Sequence, residues 1–209
     1  MSIIESEFRP SWGLSNPHLQ TILASKLTRP TGAHTRAERL ELDDGDFVDL
    51  AHGPETATMR PDGAVVALFH GLAGSVESPY VAGVMGEISA RGFRVILLHW
   101  RGCSGEPNRL ARSYHSGASD DIERFLDVLQ IRYPECPLYA LGFSLGGNAL
   151  LKYLGEQGAV TTLEIAAHGG HVGFLGAGRG SDGGVQVNTA WAARWLDSHL
   201  AETLVDLAA

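Results

Sequence analysis

Pro137-Leu138-Tyr139-Ala140-Leu141-Gly142-Phe143-Ser144-Leu145-Gly146-Gly147-Asn148 is the stretch on which the reading of this chain turns. Residues 137–141 are short and apolar, as a strand buried on both faces is. Residues 146–154 have helical spacing and close on Gly155. Between them Ser144 sits in G-x-S-x-G. A strand that turns sharply into a helix forces its Ser into strained backbone geometry, and only small residues two positions either side let the segments pass. The hydroxyl is then held above the sheet, beside a helix N-terminus that favours negative charge. In a chain with 26 glycines the pattern alone is weak. At a strand–helix junction it points to a nucleophile.

Outward from this turn the same alternation recurs. Residues 64–69 and 94–98 read as buried strands, with helices expected over 78–90 and 120–132. In the second helix Ile122, Phe125, Leu126 and Leu129 share one face. Residues 161–167 read as a further strand, and residues 189–207 as an amphipathic helix with Trp191, Trp195, Leu196, Leu200 and Leu204 along its stripe. Asn16-Pro17 reads as the cap and first turn of a short helix. Segments 37–42 and 47–51 flank Asp43-Asp44-Gly45-Asp46, a hairpin signal. The expected fold is α/β: a mostly parallel sheet with an N-terminal antiparallel hairpin and helices on both faces, in a single domain over 1–209.

Composition narrows the function. The 209 residues are 44% hydrophobic and 19% charged, the balance of a globular protein. Acidic residues outnumber basic ones 24 to 16, for a net charge of −8, so no nucleic-acid partner is expected. Cys103 and Cys136 cannot form a disulfide framework and fit a reducing cytosol. The longest apolar run, 64–69, falls far short of the ~20 residues that span a bilayer, and residues 1–9 lack the pattern of a signal peptide. A cytoplasmic location is expected.

In parallel sheets of this type ligands bind beyond the carboxyl ends of the strands, so each βα junction is a candidate. After 64–69 comes His70-Gly71-Leu72-Ala73-Gly74, a loop that can aim a backbone N–H at a developing oxyanion. The amides of Leu72 and Leu145 are the expected donors. Residues 99–117 form a long aperiodic loop, read as pocket wall, with His70, Trp100, Arg101 and Tyr114 as candidate pocket residues. Cys103, in the same loop, reads as a packed thiol. After 161–167 comes His168-Gly169-Gly170-His171-Val172-Gly173-Phe174. His171 stands further past the strand end and is taken as the general base, rather than His168. A zinc site at the two histidines lacks further ligands at suitable spacing. Gly178-x-Gly180-x-x-Gly183 reads as a flexible linker, since no helix opens at its end.

Several of these segments together resemble one family. Phe8-Arg9-Pro10, Asn16-Pro17-His18-Leu19-Gln20-Thr21, His70-Gly71-Leu72, Trp100-Arg101-Gly102-Cys103-Ser104-Gly105-Glu106, Ser113-Tyr114-His115-Ser116-Gly117, Gly142-Phe143-Ser144-Leu145-Gly146-Gly147-Asn148 and His168–Phe174 look like the YheT-like α/β-hydrolases. The resemblance runs from about Phe8 to Phe174. It implies a truncated α/β-hydrolase fold and a serine hydrolase of carboxylic esters, with small-molecule or lipid substrates and no cofactor.

One departure stands against these matches. The triad of this fold runs Ser, then Asp or Glu, then His. Only 27 positions separate Ser144 from His171, and one βα unit alone needs roughly 30 residues. The acids in that interval are Glu156, on the helix, and Glu164, mid-strand. The family's acid-bearing turn and cap segment therefore have no counterpart. Asp120, Asp121 and Asp182 are the substitutes to test. A hydrolase with a Ser144–His171 pair and impaired turnover is the leading expectation, and a non-catalytic protein of the same fold is the alternative. With the intervening units gone, residues 161–167 are expected to dock beside 137–141.

Overall fold

The computed structural model describes residues 2–5, 12, 13, 15, 16, 18, 19, 22, 23, 36–158, 162–165, 175–179 and 185–187. Their elements run β1 (Ser2–Glu5), β2 (Arg36–Glu41), β3 (Phe47–His52), β4 (Val65–Phe69), α1 (Pro79–Ala90), β5 (Arg94–His99), α2 (Ser119–Arg132), β6 (Leu138–Gly142), α3 (Leu145–Glu156), β7 (Thr162–Ile165), β8 (Leu175–Arg179) and β9 (Val185–Val187). His18, Leu19, Ile22 and Leu23 are also helical, and the Asn16 side chain accepts hydrogen bonds from the His18 and Leu19 amides, the cap its sequence suggests.

Gly32–Val160 is one compact unit and holds a five-stranded sheet in the order β2-β3-β5-β4-β6. β4 pairs in parallel with both β5 and β6, while β3 runs antiparallel to β2 and β5. Four of the five strands thus share one direction and only β3 opposes them. β4 is buried at every position, because helices cover both its faces. Val65, Ala67 and Phe69 turn to the side where Ile122, Phe125 and Leu129 of α2 and Ala149 and Leu150 of α3 pack. Side chains alternate along a strand, so Val66 and Leu68 turn to the other side. There α1 buries Val81, Val84, Met85 and Ile88. The hairpin closes with Gly45 at φ +85°, a left-handed conformation glycine adopts without penalty.

The second unit comprises Met1–Thr31 and Thr161–Ala209. Within it β7 pairs in parallel with β1, from Ser2 opposite Thr162 to Glu5 opposite Ile165. This corrects the expectation that residues 161–167 dock beside 137–141: among the described residues β6 has β4 as its strand partner. The first strand is four residues long and lies some 160 positions from its partner, so no local pattern announces the pairing. β8 and β9 form an antiparallel pair where the sequence reads as linker on its glycines. Backbone pairing needs no side chain, and alternating glycines hide it. The helix expected over 189–207 lies outside the described residues.

Candidate active site

The turn from β6 into α3 is as crowded as its sequence implies. A Cβ built on Gly146 would stand 2.5 Å from the Phe69 carbonyl oxygen and 2.6 Å from that of His70. One on Gly142 would stand 2.7 Å from Gly147 Cα. Between them Ser144 takes φ +51° and ψ −113°, a region costing a non-glycine residue on the order of 1–3 kcal/mol. The surroundings hold it there. The Phe143 amide donates to the Phe69 carbonyl at 2.9 Å, tying the turn to the end of β4. The Asn148 amide donates to the Ser144 carbonyl at 2.9 Å, and the Asn148 side chain to the Ser116 carbonyl. Leu145 is the first residue of α3, so its amide has no intrahelical acceptor.

The loop after β4 lies directly against this turn. A Cβ on Gly71 would be 3.4 Å from Ser144 Cβ and 3.4 Å from the Phe143 oxygen. His70 is fully buried and bonded on both ring nitrogens. Trp100 N–H reaches its Nε2 at 3.2 Å, and a backbone amide can only donate, so Nε2 accepts and Nδ1 carries the proton. Nδ1 then donates to the Gly71 carbonyl at 2.7 Å. Burial pushes this imidazole down to about 4. The Trp100 indole N–H returns to the His70 carbonyl at 2.9 Å. His70 and Trp100 are therefore fasteners beneath the loop.

Arg101 is buried on the opposite errand. It makes a two-pronged contact with Asp121 at 3.0 and 2.8 Å, and its remaining arm reaches Asp46 at 3.0 Å and Asp44 at 2.8 Å. These contacts lock the loop after β5 to the hairpin turn and to the start of α2. Burial opposes the Asp46 charge, yet Asn108, the Arg109 amide and Arg101 hold its carboxyl down at about 2. Asp121 has both oxygens on Arg101, and Asp120 is engaged by Arg112. Of the three substitute acids, these two are committed to arginines, and Asp182 lies outside the described residues. His168 and His171 lie outside them as well.

Tyr114 stacks on Trp100, with ring planes 10° apart, and lies next to the His70–Gly74 loop. Beside that loop opens a groove of about 880 Å³. Ala73, Gly74, Val76 and His99 line one side of it and Cys103 and Glu106 another. Residues 102–106 of the loop after β5 line this groove, together with hairpin residues 37–39 and 49–51; the buried Trp100 and Arg101 do not, and neither does Ser144. Burial raises the Cys103 thiol, the opposite of what a thiolate nucleophile needs. The sequence reading missed Tyr80. It sits in the first turn of α1, and its phenol oxygen accepts the Gly71 amide at 2.9 Å. Its place just after Pro79 was the available signal, since the start of that helix had to face the loop.

A strained serine between strand and helix, set against a βα loop of a mixed sheet, is the arrangement of the α/β-hydrolase fold. The alpha/beta hydrolase fold family matches residues 64–163. The crystal structure of XC6422 from Xanthomonas campestris, described as a serine hydrolase without lid, has the same fold. Its TM-score is 0.51 at 19% identity, over 81% of this chain and 80% of that one. The chain is 45% identical over 155 residues to the "Putative esterase YheT" of Escherichia coli K12, covering 73% of this chain and 45% of YheT. It is 29% identical over 152 residues to the phospholipase ABHD3 of Homo sapiens, covering 71% of this chain and 37% of that protein. Over the matched segment the chain is similar to the YheT-like α/β-hydrolases. It spans less than half the length of these curated relatives.

Proposed function

We propose that this chain hydrolyses carboxylic esters through Ser144. The observation that carries the reading is the Ser144 backbone, at φ +51° in a turn that abuts Gly71. In this reading Ser144 Oγ attacks the acyl carbon while His171 takes the hydroxyl proton. The carbonyl oxygen becomes an oxyanion and receives the N–H groups of Leu72 and Leu145. Collapse of the intermediate expels the alcohol, which takes the proton back from His171. Water, deprotonated by the same imidazole, then releases the acid and restores Ser144.

The substrate class proposed is a small or lipid ester, in keeping with relatives named as esterase, phospholipase and monoacylglycerol lipase. Among the described residues no helix is long and apolar enough to cross a membrane. With two free cysteines, the cytosol is the location proposed. The interval between Ser144 and His171 holds two acids, Glu156 on α3 and Glu164 within β7, and neither stands in a loop after a strand. An imidazole without an orienting carboxylate samples the wrong tautomer and leaves its positive charge uncompensated, which costs about 10⁴ in turnover in serine proteases. That gap also sustains the second reading, a protein that binds acyl ligands without turning them over. Hydrolysis of p-nitrophenyl esters of increasing chain length decides between them. Release of nitrophenol that Ser144→Ala removes supports the hydrolase. Equal rates for parent and Ser144→Ala would sink it.

A further inference from the structure

Four amides line the turn after β4, and the structure accounts for three of them. Gly71 N–H goes to the Tyr80 phenol oxygen at 2.9 Å. Ala73 N–H goes to the Tyr114 phenol oxygen at 2.8 Å. Gly74 N–H goes to the Gly71 carbonyl at 3.1 Å. Among the described residues the Leu72 amide has no acceptor. Ala73, next to it, takes φ +51°, and with Ser144 it is one of the two described non-glycine residues at positive φ. A residue bent that way persists only when its neighbours over-determine it.

We infer that Tyr80 and Tyr114 are positioning residues, a pair of phenols that clamp the amides on either side of Leu72 and so leave the Leu72 N–H as the loop's one open donor for the oxyanion. The inference rests on the esterase reading above and adds to it the device that aims the donor. Each tyrosine is anchored independently. Tyr80 packs edge-on to Phe143, the neighbour of the nucleophile, at 4.9 Å between ring centroids. Tyr114 stacks on Trp100. His70 holds the same loop from beneath through the Gly71 carbonyl. Chemistry selects a phenol here. It can accept an amide proton from a rigid, packed ring, whereas phenylalanine keeps the ring and loses the acceptor.

The test uses Tyr80→Phe and Tyr114→Phe, which retain both ring contacts. NMR hydrogen exchange reads the clamp without any need for activity. The amide of Gly71 should exchange faster in Tyr80→Phe and that of Ala73 in Tyr114→Phe. Labelling of Ser144 by a fluorophosphonate reads the consequence. Its rate should fall about tenfold in each variant, short of the 10²–10³ that losing an oxyanion donor outright costs. With an ester substrate the fall should lie in kcat, with KM unchanged, because the donor acts on charge present only in the transition state. Unchanged exchange at both amides overturns the clamp whatever the activity. Faster exchange with labelling at the parent rate overturns its link to the oxyanion. A parent that takes no label overturns the serine reading and this inference with it, and the exchange result tells that failure from the others.

Discussion

Ser144 and Ala73 share a φ of +51°; close backbone contacts hold the first, and the Ala73 amide is tied to the Tyr114 phenol. His70 sets a condition on that arrangement. Its ring must be neutral, since Nε2 accepts the Trp100 amide proton. Burial lowers its proton affinity from about 6.5 in the unfolded chain to about 4 in the folded one. Between these values the unfolded state binds the extra proton. Folding stability is therefore complete above about pH 6.5 and declines as pH falls toward 4, by up to about 3 kcal/mol. Urea midpoints measured from pH 7.5 to 4.5 should fall across that window. A His70→Asn variant, already weaker at neutral pH, should show a shallower fall. Identical slopes in the two proteins would contradict the assignment.

The elements are stapled by contacts of two kinds, close backbone packing and a buried ion cluster. Gly146→Ala drives a methyl into the Phe69 and His70 carbonyls. It should cost more than about 3 kcal/mol in chemical denaturation, as severe overpacking does. Gly86→Ala, inside α1 with open space around it, should instead stabilise by about 1 kcal/mol. A Gly146→Ala protein as stable as the parent would show that the elbow is looser than its geometry. Arg101→Met leaves Asp46 and Asp121 buried without their cation. Breaking such a cluster costs about 3–5 kcal/mol. Arg101 also shows where sequence reasoning stopped short. Its loop is aperiodic as the sequence suggests, but nothing local says that its guanidinium is needed 55 positions back, at Asp46. The strands β4, β5 and β6 and the helices between them were legible because burial on both faces and helical spacing are written locally. The parallel β1–β7 pair was not, because its partners are distant and short.

For the molecule as a whole, the strained turn at Ser144 was legible from residue patterns alone, since glycine spacing around a serine has one steric cause. The acid could not be found by that route. The gap between Ser144 and His171 is itself a sequence feature, and Asp120 and Asp121, two of the substitute acids, are bound to arginines. Turnover on a simple ester should accordingly lie well below the ~10 s⁻¹ of a median enzyme. A steady-state kcat at or above that value would mean that another carboxylate serves His171. The central claim is more basic than the rate. Intact mass after exposure to a fluorophosphonate, parent beside Ser144→Ala, addresses it without any choice of substrate. A single adduct on the parent and none on Ser144→Ala is the result this account predicts; no adduct on the parent, or the same adduct on both, would contradict it.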